Sequence, residues 1–438
     1  MRIAISYMCL VSLTLVSAAL AQEWPQFRGP DGQGHAAVSA PPTTWSETEN
    51  IAWKTPIPGT GWSSPVVNGE QIWLTSAIEE DNTLRAICVD RTSGQIVHDV
   101  EVFRKTDLGR VNAKNTNASP TPILDGQRVF VHFGSHGTAC LSSEGKLLWK
   151  TELKYDHRHG PGGSPVLVGD VLIVACDGAD VQYVVGLDAN TGRLRWKTPR
   201  HDKAEMAYST PLVIEVDGAE QVVSSGGGGV SGYDPATGKE IWRCRYEGHS
   251  VIPRPVFADG LTYVCSGYWT PTLYAIQAGG ASDITSTHIS RTVRRGVPLT
   301  TSPLVNGDEL YLMGDMGVLT AIDLGTGKEL WRERLPGSYS ASPTLAAGHV
   351  YAVNEEGTTT VLKPGPKPTR VATNQIEGRT LASPAFVGGA IFLRSDTHLY
   401  CIGKPGRPPL RTAARVRSAK RDPNDGSKVR RASATAPR

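Results

Sequence analysis

Short apolar runs, each closed by a glycine-bearing or polar turn, repeat along this chain with a long regular period. A small or hydroxyl-bearing residue followed by proline opens such a run at Ser64-Pro65, Ser119-Pro120, Ser164-Pro165, Thr210-Pro211, Ser302-Pro303, Ser342-Pro343 and Ser383-Pro384. Arg254-Pro255 holds the remaining place in the series. Successive prolines lie 40 to 55 residues apart, a period that suits a unit of four strands. The stretch TSPLVNGDELYLMGDMGVLTAIDLGTGKELWRERL shows the grammar of one unit. The run after Pro303 predicts a short strand, and Asn306-Gly307 is a hairpin turn that tolerates positive φ. Glu309 to Met313 predicts a second strand, turned at Gly314 to Gly317. Val318 to Asp323 predicts a third, and Thr326-Gly327 turns into a fourth that carries Trp331. The same turn and Trp recur as Thr191-Gly192 with Trp196 and Thr237-Gly238 with Trp242, with Glu144-Gly145 and Trp149 as a close variant.

Strands this short cannot bury both faces alone, and stacking four-stranded sheets around an axis solves the problem. A Trp at a fixed place in the outer strand gives each interface between sheets a large apolar contact. The last unit ends after His398 to Ile402 without a fourth strand. Asn50-Ile51-Ala52-Trp53-Lys54-Thr55, ahead of the first complete unit, reads like the missing one and would remove an exposed edge. The fold class expected is therefore all-β: an eight-bladed β-propeller of four-stranded antiparallel blades, the last blade closed by an N-terminal strand. Seven blades with one irregular pair is the alternative, because the unit around Arg254 is poorly written.

The ends of the chain read differently. Arg2, the apolar stretch Ile3 to Val16 and Ala19-Leu20-Ala21 form a secretory signal pattern over residues 1–21. Residues 22–44 are a leader, 45–403 the propeller and 404–438 a tail with eleven Lys/Arg and two Asp. That tail carries +9, so the formal +3 of the whole chain conceals an acidic body. Composition predicts a solvated, disordered arm there. Six cysteines follow the signal: Cys88, Cys140, Cys176, Cys244, Cys265 and Cys401. Three of them, in AICVD, TACLS and LYCIG, occupy the slot that Ala321 fills in TAID, which predicts small packing residues. No pair has the C-x-x-C spacing of a metal site.

In a propeller, the loops that precede each inner strand gather at one mouth of the central channel. Candidate ligand-binding residues in these loops and the neighbouring turns are Trp62, Asn117, His157, His159, His201, Arg254, Trp269, Tyr339 and Arg379. Cations and aromatics at the mouth of an acidic body suit an anionic ligand or an acidic peptide. Arg254 is the sharpest of them, since it replaces the Ser/Thr of the repeat at the channel wall. It either binds a carboxylate bidentately or pairs with an internal acid. His157-x-His159 would place two imidazoles on one side of an extended segment, without an evident third metal ligand. Gly226 to Gly229 lacks the Lys-Ser/Thr of a phosphate loop and reads as a second-to-third-strand turn. No motif identifies a catalytic residue or a metal site.

The repeats LTAIDLGTGKELW, VVGLDANTGRLRW and VSGYDPATGKEIW resemble the pyrroloquinoline-quinone (PQQ) repeat. The resemblance covers roughly residues 45 to 403, and WPQFRGPDGQG is similar to the segment that precedes the propeller in such proteins. Two branches of that superfamily imply different functions. Quinoprotein dehydrogenases hold PQQ and Ca²⁺ in the propeller funnel and oxidise alcohols or sugars. BamB-like proteins use a similar ring as a cofactor-free scaffold in outer-membrane protein assembly. This chain has no adjacent cysteines and no motif matching the calcium ligands or catalytic Asp of the first branch, and it lacks the lipid-attachment Cys of the second. The leading expectation is a non-catalytic, monomeric scaffold without cofactor, exported to the periplasm or beyond, in association with the outer membrane. Its partners would be envelope proteins or an anionic polymer, not nucleic acid, and no transmembrane segment would remain after signal cleavage. A PQQ- and Ca²⁺-dependent alcohol or sugar dehydrogenase is the alternative.

Overall fold

Eight blades of four antiparallel strands, two of them extended by a short parallel strand, surround a central channel in the computed structural model, which describes residues 23–38, 40–200 and 205–405. The expected signal segment, the basic tail beyond Pro405 and His201 lie outside the described residues. Each blade begins with a short strand beside the axis, and the first seven step outward in chain order. Blade 6 follows the pattern written in its sequence: Leu304–Asn306, Glu309–Met313, Val318–Asp323 and Glu329–Arg334. The unit around Arg254 is a regular blade 5, with Val256–Ala258, Leu261–Cys265, Leu273–Gln277 and Ile289–Val293. Eight blades, not seven, close the ring. The last is completed by Ile51–Pro56, which pairs antiparallel with His398–Lys404 and sets Trp53 opposite Cys401.

One register differs from the sequence pattern. In blade 2 the inner strand is Ile123–Asp125, so the dipeptide equivalent to Ser64-Pro65 is Thr121-Pro122 and not Ser119-Pro120. The sequence offers the motif twice in succession, and only the strand pairing selects the second copy.

The outer-strand Trp reaches the next blade. Trp53, Trp149 and Trp196 lie against Gly94, Gly192 and Gly238, whose missing side chains leave room for the indoles. The indole nitrogens donate to Arg91 O, Ala189 O and Pro235 O, at 2.9 to 3.0 Å. Two residues later, Thr55, Thr151 and Thr198 donate to the carbonyls of the same three glycines. Where the turn persists without a Trp before it, His98 packs on Gly145 and Arg291 on Gly327. Within a blade, the residue across from the Trp is small: Cys140 opposite Trp149, Gly186 opposite Trp196, Gly232 opposite Trp242 and Ala321 opposite Trp331. That explains the cysteine slot, and all six cysteines are buried and unpaired.

A second contact repeats around the axis. The backbone N–H of Ser64, Thr121, Ser164, Arg254, Ser302 and Ser342 donates to the hydroxyl of the equivalent residue one blade on. The acceptors are Thr121, Ser164, Thr210, Ser302, Ser342 and Ser383, at 2.9 to 3.0 Å. Two junctions lack this clasp, and a buried arginine spans each. Arg254 Nε donates to Pro211 O between blades 4 and 5. Arg394 Nη1 donates to Ser63 Oγ and Thr75 O between blades 8 and 1.

The leader crosses the end of the channel where the inner strands finish. Trp24 exchanges both backbone hydrogen bonds with Val67, and Leu124 N donates to Pro25 O. Arg28 is buried and donates to Gln33 O, Ser302 O and Pro303 O. His35–Ala36 then adds to the inner edge of blade 7 as a parallel strand.

Candidate functional site

Counting back from the ring residue places the wall of the opposite, open end. Residues i and i+2 of extended chain face the same side. Two positions before each ring residue stand Trp62, Ser119, Gly162, Tyr208, Ile252, Thr300, Ser340 and Leu381, one from every blade, and all eight line the channel. They form a neck. Above it lies a cavity of about 530 Å³. Below it lies a chamber of about 100 Å³, lined by the ring hydroxyls and by Phe27 of the leader.

The upper cavity adds Asn112, Lys114, Asn115, His159, His249, Tyr268 and Trp269 from the loops. Trp269 is the most exposed large apolar side chain described, at 71 %. Its backbone is left-handed, φ 74°, a conformation that costs a residue with Cβ about 1 kcal/mol or more. The indole lies flat on the His249 ring, with centroids 4.3 Å apart and planes 4° from parallel, and His249 Nδ1 meets Glu205 at 3.2 Å. The indole is thus held by the His249 ring on one face, and both rings line the cavity.

Lys114, which lines the cavity, is paired. Glu355 takes Lys114 at 2.7 Å, Arg379 at 3.5 Å and the Ser340 hydroxyl at 2.6 Å. Burial works to raise the Glu355 carboxyl, but the hydrogen bonds from Lys114 and Ser340 outweigh it and hold the group below its usual range. Asp315 accepts from the backbone of Leu299 and Thr300 and from the Thr300 hydroxyl. Among the described residues no carboxylate lines the cavity itself. Calcium takes six to eight oxygen ligands with carboxylates among them, and the described wall supplies no carboxylate for it. Among the described residues no group of three or more His, Cys, Asp and Glu is arranged to hold a metal.

The candidates of the sequence pattern divide. Trp62, His159 and Trp269 line the cavity together. Arg379 stands behind the wall, its guanidinium 5.9 Å from the Trp62 ring, beside a side cavity of about 200 Å³. Asn117 is buried and meets His136 Nε2 at 3.2 Å. Tyr339 is fully buried between blades 6 and 7, because it immediately precedes neck residue Ser340 and so points the other way. His157 and His159 diverge: His159 faces Tyr208 in the cavity, while His157 turns back to accept from Ser135 N and packs at 4.9 Å from His136. The two imidazoles therefore share no ligand. Arg254 lies away from the mouth cavity. It is buried at the sealed end, where Nη1 donates to Phe27 O at 2.7 Å and the guanidinium lies against Gly32. Among the described residues no acid pairs with it directly; it anchors the leader. Asn112, Lys114 and Tyr208 line the cavity without being among those candidates, although the place of Tyr208, two positions before Thr210, is the one that Trp62 holds before Ser64.

Behind the loops of blades 2 and 3 lies a cluster of rings: His132, His136, His157, Tyr155 and Tyr183. Burial, reinforced by the other imidazoles, pushes His132 down to about 3 and His157 down to about 4.

The family whose profile matches the chain is that of outer membrane protein assembly factor BamB, over residues 38–181 and 180–404. An outer membrane protein assembly factor BamB of Burkholderia pseudomallei is 27 % identical over 215 residues, 45 % of this chain and 52 % of that one. A lanthanide-dependent methanol dehydrogenase of Methylorubrum extorquens is 30 % identical over 149 residues, 30 % of this chain and 24 % of that one. The chain thus spans about half the length of the first relative and a quarter of the second. Among solved structures, quinohemoprotein alcohol dehydrogenase from Comamonas testosteroni superposes with a TM-score of 0.64 at 12 % identity, covering 91 % of this chain and 83 % of that one. BamB from Moraxella catarrhalis gives 0.56 at 15 % identity, covering 80 % and 96 %. At these identities the structural likeness concerns the fold.

Proposed function

The chain belongs to the family of outer membrane protein assembly factor BamB, and from that premise we propose that it is an exported, non-catalytic scaffold of the cell envelope. Its open mouth holds an extended segment of an envelope protein, or failing that an anionic polymer. The protein acts as a monomer in the periplasm or outside the cell, in association with the outer membrane. One observation carries the reading: a strained, exposed Trp269 lines a cavity whose Lys114 is already paired and whose described wall offers no carboxylate or thiol. Rigid aromatic surface at low entropic cost is what recognition sites use. Strain retained in an exposed residue is a pointer to use.

The test is crosslinking in an envelope fraction, comparing the native chain with Trp269→Ala and, as a control on a distant exposed apolar residue, Leu194→Ala. The same crosslinked species should vanish with Trp269→Ala and persist with Leu194→Ala. Equal capture by all three would remove the mouth from the interaction. The dehydrogenase reading draws support from the methanol dehydrogenase relative. It predicts a stoichiometric complex with PQQ and Ca²⁺, visible as a quinone absorption band, and dye-linked oxidation of an alcohol or sugar. Appearance of both would displace the scaffold.

A further inference from the structure

The chamber below the neck is chemically unlike the mouth. Its seven ring hydroxyls belong to residues at most 6 % exposed. A hydroxyl has one proton to give and two lone pairs to receive. Six of the seven already receive an N–H from the neighbouring blade, and none gives its proton to an acceptor among the described residues. The seventh, Ser64, makes no side-chain hydrogen bond to any described residue and still lines the chamber. Unspent O–H donors therefore converge on a volume of about 100 Å³ that no described carboxylate lines.

Charge lies behind the floor, since Phe27 lines the chamber and the two arginines beside it do not. Arg28 and Arg254 are buried around Phe27 and donate to main-chain carbonyls, not to a carboxylate. The acid that acts on both is Asp31, and its carboxylate is hydrogen-bonded to His35 at 2.6 Å. Two buried cations against one engaged acid leave the layer behind the floor positive. Hydroxyl donors around one small volume with positive charge behind it stabilise a negative charge, since hydrogen bonds to an ion are roughly twice as strong as neutral ones.

We infer that this chamber binds a small anion, a halide or a carboxylate group, through the ring hydroxyls of the blades. The site does not depend on the mouth holding a partner. The carboxylate can be a free ion or the end of a longer ligand that passes the neck, and water is the competing occupant.

Crystals grown in molar sodium bromide, measured at the bromine edge, test it. The expected result is an anomalous peak in the chamber within contact distance of the ring hydroxyls; a chamber holding water alone overturns the proposal. Ser64→Ala breaks no protein hydrogen bond and should fold, yet weaken bromide by about tenfold in occupancy titrations. Unchanged occupancy would remove the hydroxyls from the site. Ser64→Asp puts a carboxylate among the donors and should exclude bromide; a bromide peak beside it would refute the charge argument. Competition separates the two sources. Octanoate displacing bromide far below the acetate concentration assigns the chamber to the end of a longer ligand, and equal potency assigns it to the free ion. Crosslinking through Trp269 can fail while bromide binds, and the reverse, so the two readings fall separately.

Discussion

The two ends of the central channel are built on the same eight inner strands and have opposite characters. At the sealed end the leader spends its polar groups inward: Arg28, Arg254 and His35 all reach main-chain carbonyls of the propeller or leader, and Trp24 is buried against Phe386. At the open end the aromatic surface faces outward, with Trp269 lying on His249 instead of in a core. A departure from the repeat therefore does not by itself mark a functional residue. Arg254 departs from the repeat in order to hold the plug, and Trp269, in a loop the repeat leaves free, faces the cavity.

The largest separation between the ends should be in stability. Trp24→Ala should cost about 3–5 kcal/mol, the range for emptying a buried Trp site. Trp269→Ala should stay within about 0.5 kcal/mol, as exposed substitutions do. Denaturant unfolding of both variants checks the contrast. Equal losses would mean that the leader is an appendage and not part of the core.

Acid should open the two ends unequally. His132 and His157 are held neutral by burial, so their folded values lie below the unfolded one. The unfolded chain then binds more protons as pH falls through 6.5, and stability is lost progressively down to about 4 and 3. For His132 the loss by pH 4 is on the order of 3 kcal/mol. His35 runs the other way. Burial lowers it, but the Asp31 hydrogen bond and charge prevail and raise it, so its contribution is full below pH 6.5 and fades only as pH rises past its folded value. Hydrogen exchange at about pH 4.5 should show residues 133–137 and 156–160 opening while 24–36 stay protected. Protection lost first in the leader would reverse the comparison.

These differences show what could be read in advance. The four-strand grammar, the eight-fold count and the closing strand at Ile51–Pro56 were legible because turns and alternation are local signals. The plug was not, since its contacts join residues 24–36 to inner strands as far as blade 7, some 300 positions on. Arg254 looked like a ligand for the same reason: its partner, Phe27 O, is 227 residues away. Trp62, His159 and Trp269 were legible as loop aromatics. Tyr208 could have been found by counting two residues back from each ring position, a rule that the doubled motif at Ser119-Pro120-Thr121-Pro122 obscured.

Arg254→Ser restores the hydroxyl of the repeat and deletes the anchor. Loss of the donors to Pro211 O and Phe27 O should cost about 1–3 kcal/mol. Capture at the mouth should be unchanged, because the guanidinium never reaches it. An Arg254→Ser variant as stable as the native chain but deficient in crosslinking would return Arg254 to the open end.

The finest test asks whether strain at Trp269 is carried for recognition. Ala and Gly at this position both remove the indole and its stack on His249, so they lose the same contacts. They differ in backbone preference: at φ 74° Ala keeps the left-handed cost and Gly escapes it. Trp269→Gly should therefore be about 1 kcal/mol more stable than Trp269→Ala, and both should fail to crosslink. If Gly gains nothing over Ala, the loop has no stored strain, and the exposed Trp is held in place by its stack on His249 alone. If Gly gains and capture survives, the strain belongs to the loop's own closure, and the platform must be sought among Trp62, Tyr208 and Tyr268 on the remaining wall.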